Sequence, residues 1–470
     1  MSVENISVKE TPSDPPRIML VTRVCPAENR TGAKSYLMDI LGSMARAGFQ
    51  IEMAILDPFL AGRSPVFKVS SAVKKLGTLR ARGNIGLGPF LLRASSFIDL
   101  ILLPFGFSLC LLPERMGEGL LRLCQAFLAL LAKRPVLRFK GLARKPRIKD
   151  FPVTQEERIF FRERCLSFKP HIVFLNYVWL SELLKDVSDL PGVLKVLVTH
   201  EIIHERVENA KRHGADWDYS HWDVARESRL LRRADVLLAI QDEDKAKLEK
   251  MAPGVEVITL PISALPVHHD VHQKRGRCLF VGSDGETNVD GLRWFLKEVW
   301  PLIVARLPFA TLHICGTVCR RIQEKHKNIR LLGRVDDLKP EYGSAQVCVV
   351  PLRFGSGLKI KLIEALSHGR AVVSTSVGIQ GLSEIEGKAV NKADSPDEFA
   401  RLVCLILSDE RKRREMENEA LEYVRLNLAP EVVYRPLLTR LHRHLWSEGK
   451  TPAASESQGY DDQVALEGEQ

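Results

Sequence analysis

Apolar and polar positions alternate in blocks along the chain, and the blocks predict two series of strands and helices. Residues 1–16 are polar and hold Pro12, Pro15 and Pro16, which predicts a loose leader. An apolar run over 18–22 follows, then a loop with Pro26 and Gly32. A helical period runs over 33–47 and stops at Gly48, and a second apolar run covers 51–56. Strand, loop, helix, glycine, strand is a βαβ unit, and such units imply a parallel sheet. The pattern resumes with a helix over 155–168 that ends before Pro170. Strands over 172–176 and 194–199, a helix over 222–233, a strand over 235–240, a helix over 242–251 and a strand over 256–259 complete the series. Residues 261–276 hold three His and two Pro without a strong period, and read as a linker.

The second series opens with a strand over 278–281 and a turn over 282–285. A helix over 290–307 follows, then strands over 311–315, 329–332, 347–350 and 371–374, with helices over 358–368, 397–407 and 409–426. Pro430 can start a last helix reaching residue 446. The reading is therefore a flexible leader (1–16), an N-terminal Rossmann-like domain (17–265) with an insert over about 63–150, and a second Rossmann-like domain (275–428). A C-terminal helix (429–446) and a disordered acidic tail (447–470) end the chain. Two doubly wound domains that face each other place a ligand crevice at the carboxyl ends of their strands.

Composition narrows the class. Hydrophobic residues make up 45% and charged residues 27% of 470, which excludes collagen, coiled coil and wholesale disorder. Nine scattered cysteines include no C-x-x-C, so a zinc ribbon or a thioredoxin-like centre has no support. The first residues lack an apolar core, no secretory signal is expected, and a cytoplasmic, reducing location is the default.

Charge adds a second feature. The formal net charge is +10, yet residues 63–150 alone hold 17 Lys/Arg against 4 acids, a net +13. The tail from 447 carries one Lys and six acids, a net −5, which leaves about +2 elsewhere. The insert is also apolar, with fourteen uncharged residues between Asp99 and Glu114 and ten between Arg122 and Lys133. Fourteen helical residues reach about 21 Å, short of a hydrocarbon core of about 30 Å. Apolar helices flanked by Lys and Arg suit the surface of an anionic membrane, here over 82–149. The same composition also describes an inserted helical subdomain with a solvated basic face. A nucleic-acid partner is not expected, because aromatic residues are not interleaved with the basic ones.

The densest chemistry lies in Pro351-Leu352-Arg353-Phe354-Gly355-Ser356-Gly357-Leu358-Lys359-Ile360-Lys361-Leu362-Ile363-Glu364, after the strand over 347–350. Gly355 and Gly357 allow close approach of backbone to an anion. The helix that follows offers N–H groups and partial positive charge to a diphosphate, and Lys359 and Lys361 add full charges. Glu364 is placed to accept hydrogen bonds from ribose hydroxyls. A glycine-rich turn with solvated lysines and a capping Glu fits the same residues. His200, with Glu201 after it, stands at the end of the strand over 194–199. It reads either as a structural hydrogen bonder or as a cleft residue, and Glu201 as a cleft residue or solvated surface. Glu227, Arg229 and Arg232 read as a solvated helix face.

This segment, continued by Ser367-His368-Gly369-Arg370 and Gly378-Ile379-Gln380-Gly381-Leu382, resembles the donor-binding domain of glycosyltransferase family 4. The resemblance covers about 278–426 and extends more weakly to 18–56 and 196–261. It implies the α/β GT-B fold with two facing Rossmann-like domains; the basic, apolar helical insert in the first domain and the acidic tail lie outside the resemblance. It also implies sugar transfer from a nucleotide-sugar with retention of configuration, and neither metal nor other cofactor. Glu364 matches the second Glu of the family's E-x7-E motif, whereas Ser356 stands where the first Glu is usual. Gly282 and Ser283 would approach the diphosphate together with Ser356, Gly357, Leu358 and Lys361. Arg334 and Val335 would lie near the base. His200 would lie near the donor sugar, and Gly32 and Glu201 on the acceptor side. The catalytic residues are thus expected to be His200, Lys359 and Glu364. The insert points to a lipid-linked or cell-surface glycan acceptor and to a peripheral position on the inner face of the membrane. Two other readings keep the fold, a nucleotide-sugar epimerase and a non-catalytic membrane-associated homologue.

Overall fold

The computed structural model describes residues 14–24, 32–57, 66–87, 90–93, 152–212, 222–322, 327–355 and 357–447. The N-terminal half supplies strands β1 (Arg17–Thr22), β2 (Gln50–Ile55), β3 (Val66–Lys68), β4 (Thr78–Ala81), β5 (Asn84–Leu87) and β6 (Phe90–Arg93). β7 (Ile172–Asn176), β8 (Leu194–Val198), β9 (Val236–Ala239) and β10 (Glu256–Thr259) follow. The second half supplies β11 (Arg277–Val281), β12 (Thr311–Cys315), β13 (Ile329–Gly333), β14 (Val347–Val350), β15 (Ala371–Ser374) and β16 (Val390–Lys392).

Seven strands form one sheet in the order β10-β9-β8-β7-β1-β2-β4, and six form a second in the order β13-β12-β11-β14-β15-β16. Every pair in both sheets is parallel. Helices cover both faces, so the inner strands are mostly apolar, and β7 and β14 are buried at every position. The strand order reverses between β1 and β7 in the first sheet and between β11 and β14 in the second. Doubly wound sheets bind ligands outside the strand ends at such reversals. Thr22 and Asn176 end the strands of one reversal, and Gly282 and Pro351 follow the strands of the other.

The insert expected over 63–150 differs in its described part. Residues 66–93 are mainly β rather than helical, with a single six-residue helix at Ser71–Leu76. β4 extends the main sheet beside β2, and β3, β6 and β5 form a small antiparallel sheet. The reason is a period of two in Thr78-Leu79-Arg80-Ala81, with Leu79 and Ala81 buried and Thr78 and Arg80 exposed. The basic residues there mark the outer face of an edge strand. The two long apolar runs fall within 94–151, outside the described residues, as do the leader to residue 13 and the tail from 448.

The helix expected over 290–307 is broken into Glu286–Trp294, a π turn at Phe295–Val299 and Trp300–Arg306. Pro301 has no N–H for the helical ladder and its ring opposes the preceding turn, which the wider turn accommodates. A ten-residue run of 3-10 turns (Val178–Val187) and helices at Ile203–Arg212 and Lys339–Ser344 were not foreseen.

The C-terminal helix (Arg435–Ser447) returns to the first domain. Its Leu437, Leu441 and Leu445 are fully buried in a core that includes Tyr36, Ile40 and Leu260. Arg440 pairs with Glu256 at 2.5 Å, and His442 stacks on Phe49 with ring centroids 5.9 Å apart. The two interdomain crossings touch, since Ala264 N–H donates to the Leu428 carbonyl and Ser263 meets the Tyr434 hydroxyl at 3.2 Å.

Candidate functional site

The C-terminal face of the second sheet is shaped by glycines. Gly355 and Gly357 have φ of +123° and +74°, values that favour glycine. They turn the chain from β14 into the helix Ile360–Ser367, whose first turn has no side-chain cap. A β-carbon on Gly357 would stand 3.1 Å from the His200 carbonyl, so the two domains meet at this loop. Opposite it, Gly282 packs against the Phe280 ring and Asn288, and Gly316 packs against the Gly282 carbonyl.

Both candidate lysines are drawn inward. Lys359 is buried, and its Nζ donates to the Gly357 carbonyl at 2.5 Å and to Gln380 Oε1 at 3.3 Å. Lys361 donates to Asn288 Oδ1 and lies 4.6 Å over the Phe280 ring. Asn288 in turn donates to the carbonyl and hydroxyl of Ser283. One polar chain thus joins Ser283, Asn288 and Lys361 across the strand reversal. Desolvation disfavours both ammonium charges. It pushes Lys359 down to about 8 and Lys361 to about 7, the latter also repelled by Lys359 and supported by Glu364. An anion between the loops would reverse that desolvation cost.

Glu364 does not bond Lys361 directly. Its Oε2 accepts from the Tyr342 hydroxyl at 3.1 Å, and burial raises its pKa against the opposing effects of Tyr342 and Lys361. Tyr342 stacks on His368 with ring centroids 4.4 Å apart. Arg334 and Val335 follow β13, Arg334 exposed and Val335 packed against the core. Leu358 is buried. Ser356 lies outside the described residues.

On the facing domain, His200 Nε2 meets Asn176 Oδ1 at 2.6 Å. Desolvation pushes His200 down to about 3, so its imidazole is neutral. Tyr177 lies 4.1 Å from its ring and Tyr36 meets it edge-on at 5.6 Å. Glu201 pairs with Arg206. Gly32 begins the first helix. Glu227, expected on a solvated face, is instead 1% exposed. Its carboxylate accepts from Ile203 N–H, His204 N–H and the His204 ring at 2.9, 2.9 and 2.7 Å, capping the helix Ile203–Arg212. Its helical spacing beside two arginines suggests solvent, but the groups it caps lie 23 and 24 positions earlier in the chain.

Asn176, Tyr177, Tyr342 and Gln380 were not singled out from the sequence as site residues. Asn176 and Tyr177 occupy an apolar strand end, and Tyr342 lies in an unforeseen short helix. Among the described residues, no cluster of three His, Cys, Asp or Glu side chains is arranged to hold a metal.

Two parallel, doubly wound domains that face each other through their strand ends define the GT-B architecture. Solved structures share it over most of the chain. Sucrose-phosphate synthase from Thermosynechococcus elongatus superposes with a TM-score of 0.63 at 16% identity, over 92% of this chain and 100% of that one. The pneumococcal O-GlcNAc transferase GtfA, solved with UDP and GlcNAc, superposes with a TM-score of 0.58 at 11% identity, over 92% and 99%. Residues 275–409 match the family described as glycosyl transferases group 1. An uncharacterized 44.6 kDa protein in the cps region of Klebsiella pneumoniae is 27% identical over 209 residues, or 40% of this chain. The chain spans about half (52%) of the length of that curated relative.

Proposed function

We propose that the protein is a retaining glycosyltransferase of the family 4 type that takes its sugar from a nucleotide-sugar. The observation that carries the reading is the pair of desolvated lysines, Lys359 and Lys361, at an uncapped helix start, where the glycine loop meets His200. That arrangement suits a diphosphate leaving group. In the reaction, the bond from the anomeric carbon to the diphosphate oxygen breaks and a bond to the acceptor oxygen forms. The acceptor proton passes to the departing diphosphate. Negative charge grows on that diphosphate, and Lys359, Lys361 and the first-turn N–H groups are preorganised to receive it. Glu364 holds ribose hydroxyls from one turn deeper. Neutral His200 hydrogen-bonds and orients the donor sugar. Glu201 and Gly32 face the acceptor. The reading assigns the charge stabilisation to these side chains and invokes no resident cofactor.

UDP is the first nucleotide to test, because the structurally similar GtfA was solved with it. The cps-region relative supports a glycan acceptor, and the basic, apolar segment supports a lipid-linked one at the cytoplasmic face of a membrane. No helix among the described residues is long and apolar enough to cross a membrane. Deleting residues 94–149, which spares β3 to β6, should release the protein from vesicles of anionic lipid. Unchanged vesicle binding would move the contact elsewhere.

The test of activity is incubation of wild type and Glu364→Ala with a panel of UDP-, GDP- and ADP-sugars and capsule-type lipid-linked acceptors. Wild type is expected to transfer sugar with the donor's anomeric configuration kept, and Glu364→Ala is expected to transfer none. Conversion of a donor to its epimer without acceptor would overturn the transferase reading.

A further inference from the structure

The end of β7 breaks a rule of strands. Successive side chains of a strand point to opposite faces, yet Asn176 and Tyr177 both reach the same imidazole. Asn176 Oδ1 meets His200 Nε2 at 2.6 Å, and the Tyr177 ring lies 4.1 Å from the imidazole, centroid to centroid, tilted by 35°. The backbone shows how. Tyr177 has φ +79° and ψ +146°, a conformation almost confined to glycine. Holding a tyrosine there stores backbone strain. The strain is stabilised on two sides: Tyr177 N–H donates to the Val198 carbonyl at 3.1 Å, and its ring stacks on Trp179 at 4.1 Å and 12°.

The amide of Asn176 is oriented from behind. Asn176 is 2% exposed, and its Nδ2 donates to the buried Thr22 hydroxyl at 2.9 Å. That hydroxyl accepts from Val24 N–H at 3.0 Å and sends its one proton to the Val24 carbonyl at 3.2 Å. Toward Asn176 it therefore offers only a lone pair, so the amide presents nitrogen to Thr22 and oxygen to His200. An oxygen 2.6 Å from His200 Nε2 requires the proton on that nitrogen, which leaves the lone pair on Nδ1.

We infer that Asn176 and Tyr177, with Thr22 behind them, are positioning residues for His200: the break at the end of β7 turns two consecutive side chains onto one ring, and sets its plane and its tautomer. The ring then presents an acceptor at Nδ1 rather than a donor. A sugar hydroxyl that donates to this nitrogen is the group it is built to orient. The inference rests on the transferase reading for the role of His200, but the tautomer is a property of the protein alone.

The experiment has two independent arms. Nitrogen-15 spectra of histidine-labelled protein, with His200 assigned through His200→Gln, should show Nε2 protonated and Nδ1 unprotonated in wild type. In Asn176→Ala the two tautomers should mix, and in Thr22→Val the same change should appear without any substitution touching the ring. In the second arm, kcat of Asn176→Ala and of Tyr177→Gly should fall about 100-fold, the scale for a reacting group misplaced by about 1 Å. Their UDP affinity, set by the other domain, should hold. Should Asn176→Ala fail to fold, wild type and Thr22→Val still decide the matter. A wild-type His200 protonated on Nδ1, or a variant that keeps both tautomer and kcat, would overturn the inference. A wild type that transfers no sugar would instead refute the activity reading, and the spectra would still judge this one.

Discussion

Lys361 offers a prediction whose size follows from its surroundings. Burial pushes its ammonium down to about 7 in the ligand-free protein, with Lys359 at about 8. A bound diphosphate supplies the missing counter-charge and returns both groups toward their ordinary range. Binding above neutral pH must then draw protons from solvent. With a free-state pKa of about 7, the protonated fraction of Lys361 drops from about one half at pH 7 to about one hundredth at pH 9. UDP affinity should weaken by about 50-fold from this group, close to 2.3 kcal/mol. Lys359 adds about 10-fold over the same interval. Titration calorimetry in two buffers of different ionisation enthalpy reads both the affinity and the proton uptake. Wild type should take up between one and two protons at pH 8. Lys361→Gln, which keeps a donor for Asn288 Oδ1, should lose most of one proton and retain only the shallower dependence. Affinity that is flat from pH 7 to 9, with no proton uptake, would refute the placement of the diphosphate at these lysines.

Two further predictions concern the scaffold. Glu227→Gln leaves N–H groups of a buried helix start without their carboxylate and should cost about 1–3 kcal/mol in urea unfolding. His204 is raised by its hydrogen bond to Glu227, so the pair's stability is fully present below the unfolded value near 6.5 and is lost as pH rises through the higher folded value. That loss should be seen in wild type above pH 6.5 and be absent in the variant. Leu441→Ala empties a fully buried site where the last helix packs on the first domain, and should cost about 2–5 kcal/mol. A cost below about 1 kcal/mol would show that the helix 435–447 is not part of that core.

Much of the fold was legible in the sequence because both sheets are parallel and buried on both faces. Runs such as 172–175 and 347–350 are continuously apolar, 311–315 is mostly so, and each falls within a strand. The helix start at Gln155 was equally plain. Thr154 and Glu157 form a reciprocal cap at Gln155–Phe168, where the pattern placed a helix start. Where the signal was charge rather than period, the reading went astray. The basic residues near Arg80 hid the edge strand β4, and Arg229 and Arg232 hid the buried carboxylate of Glu227. The glycine–lysine–glutamate segment marks one half of the candidate site, since loop, cations and helix are contiguous there. The other half depends on tertiary contacts. Asn288 reaches Lys361 across 73 positions, and Asn176 reaches His200 across 24. Local pattern carries no trace of such pairs. The bend that brings Tyr177 onto His200 is also invisible, because the residue at a positive φ is a tyrosine and not a glycine.

The central claim is that the cleft beside Lys359, Lys361 and Glu364 binds a nucleoside diphosphate. Thermal unfolding of the full chain with UDP, GDP and ADP, in wild type and in Glu364→Ala, tests it directly. One of the three should stabilise wild type by about 2.7 kcal/mol at one hundred times its dissociation constant, and Glu364→Ala should lose most of that shift while melting normally without ligand. A wild type whose melting moves with none of them, at millimolar concentration, would contradict the account.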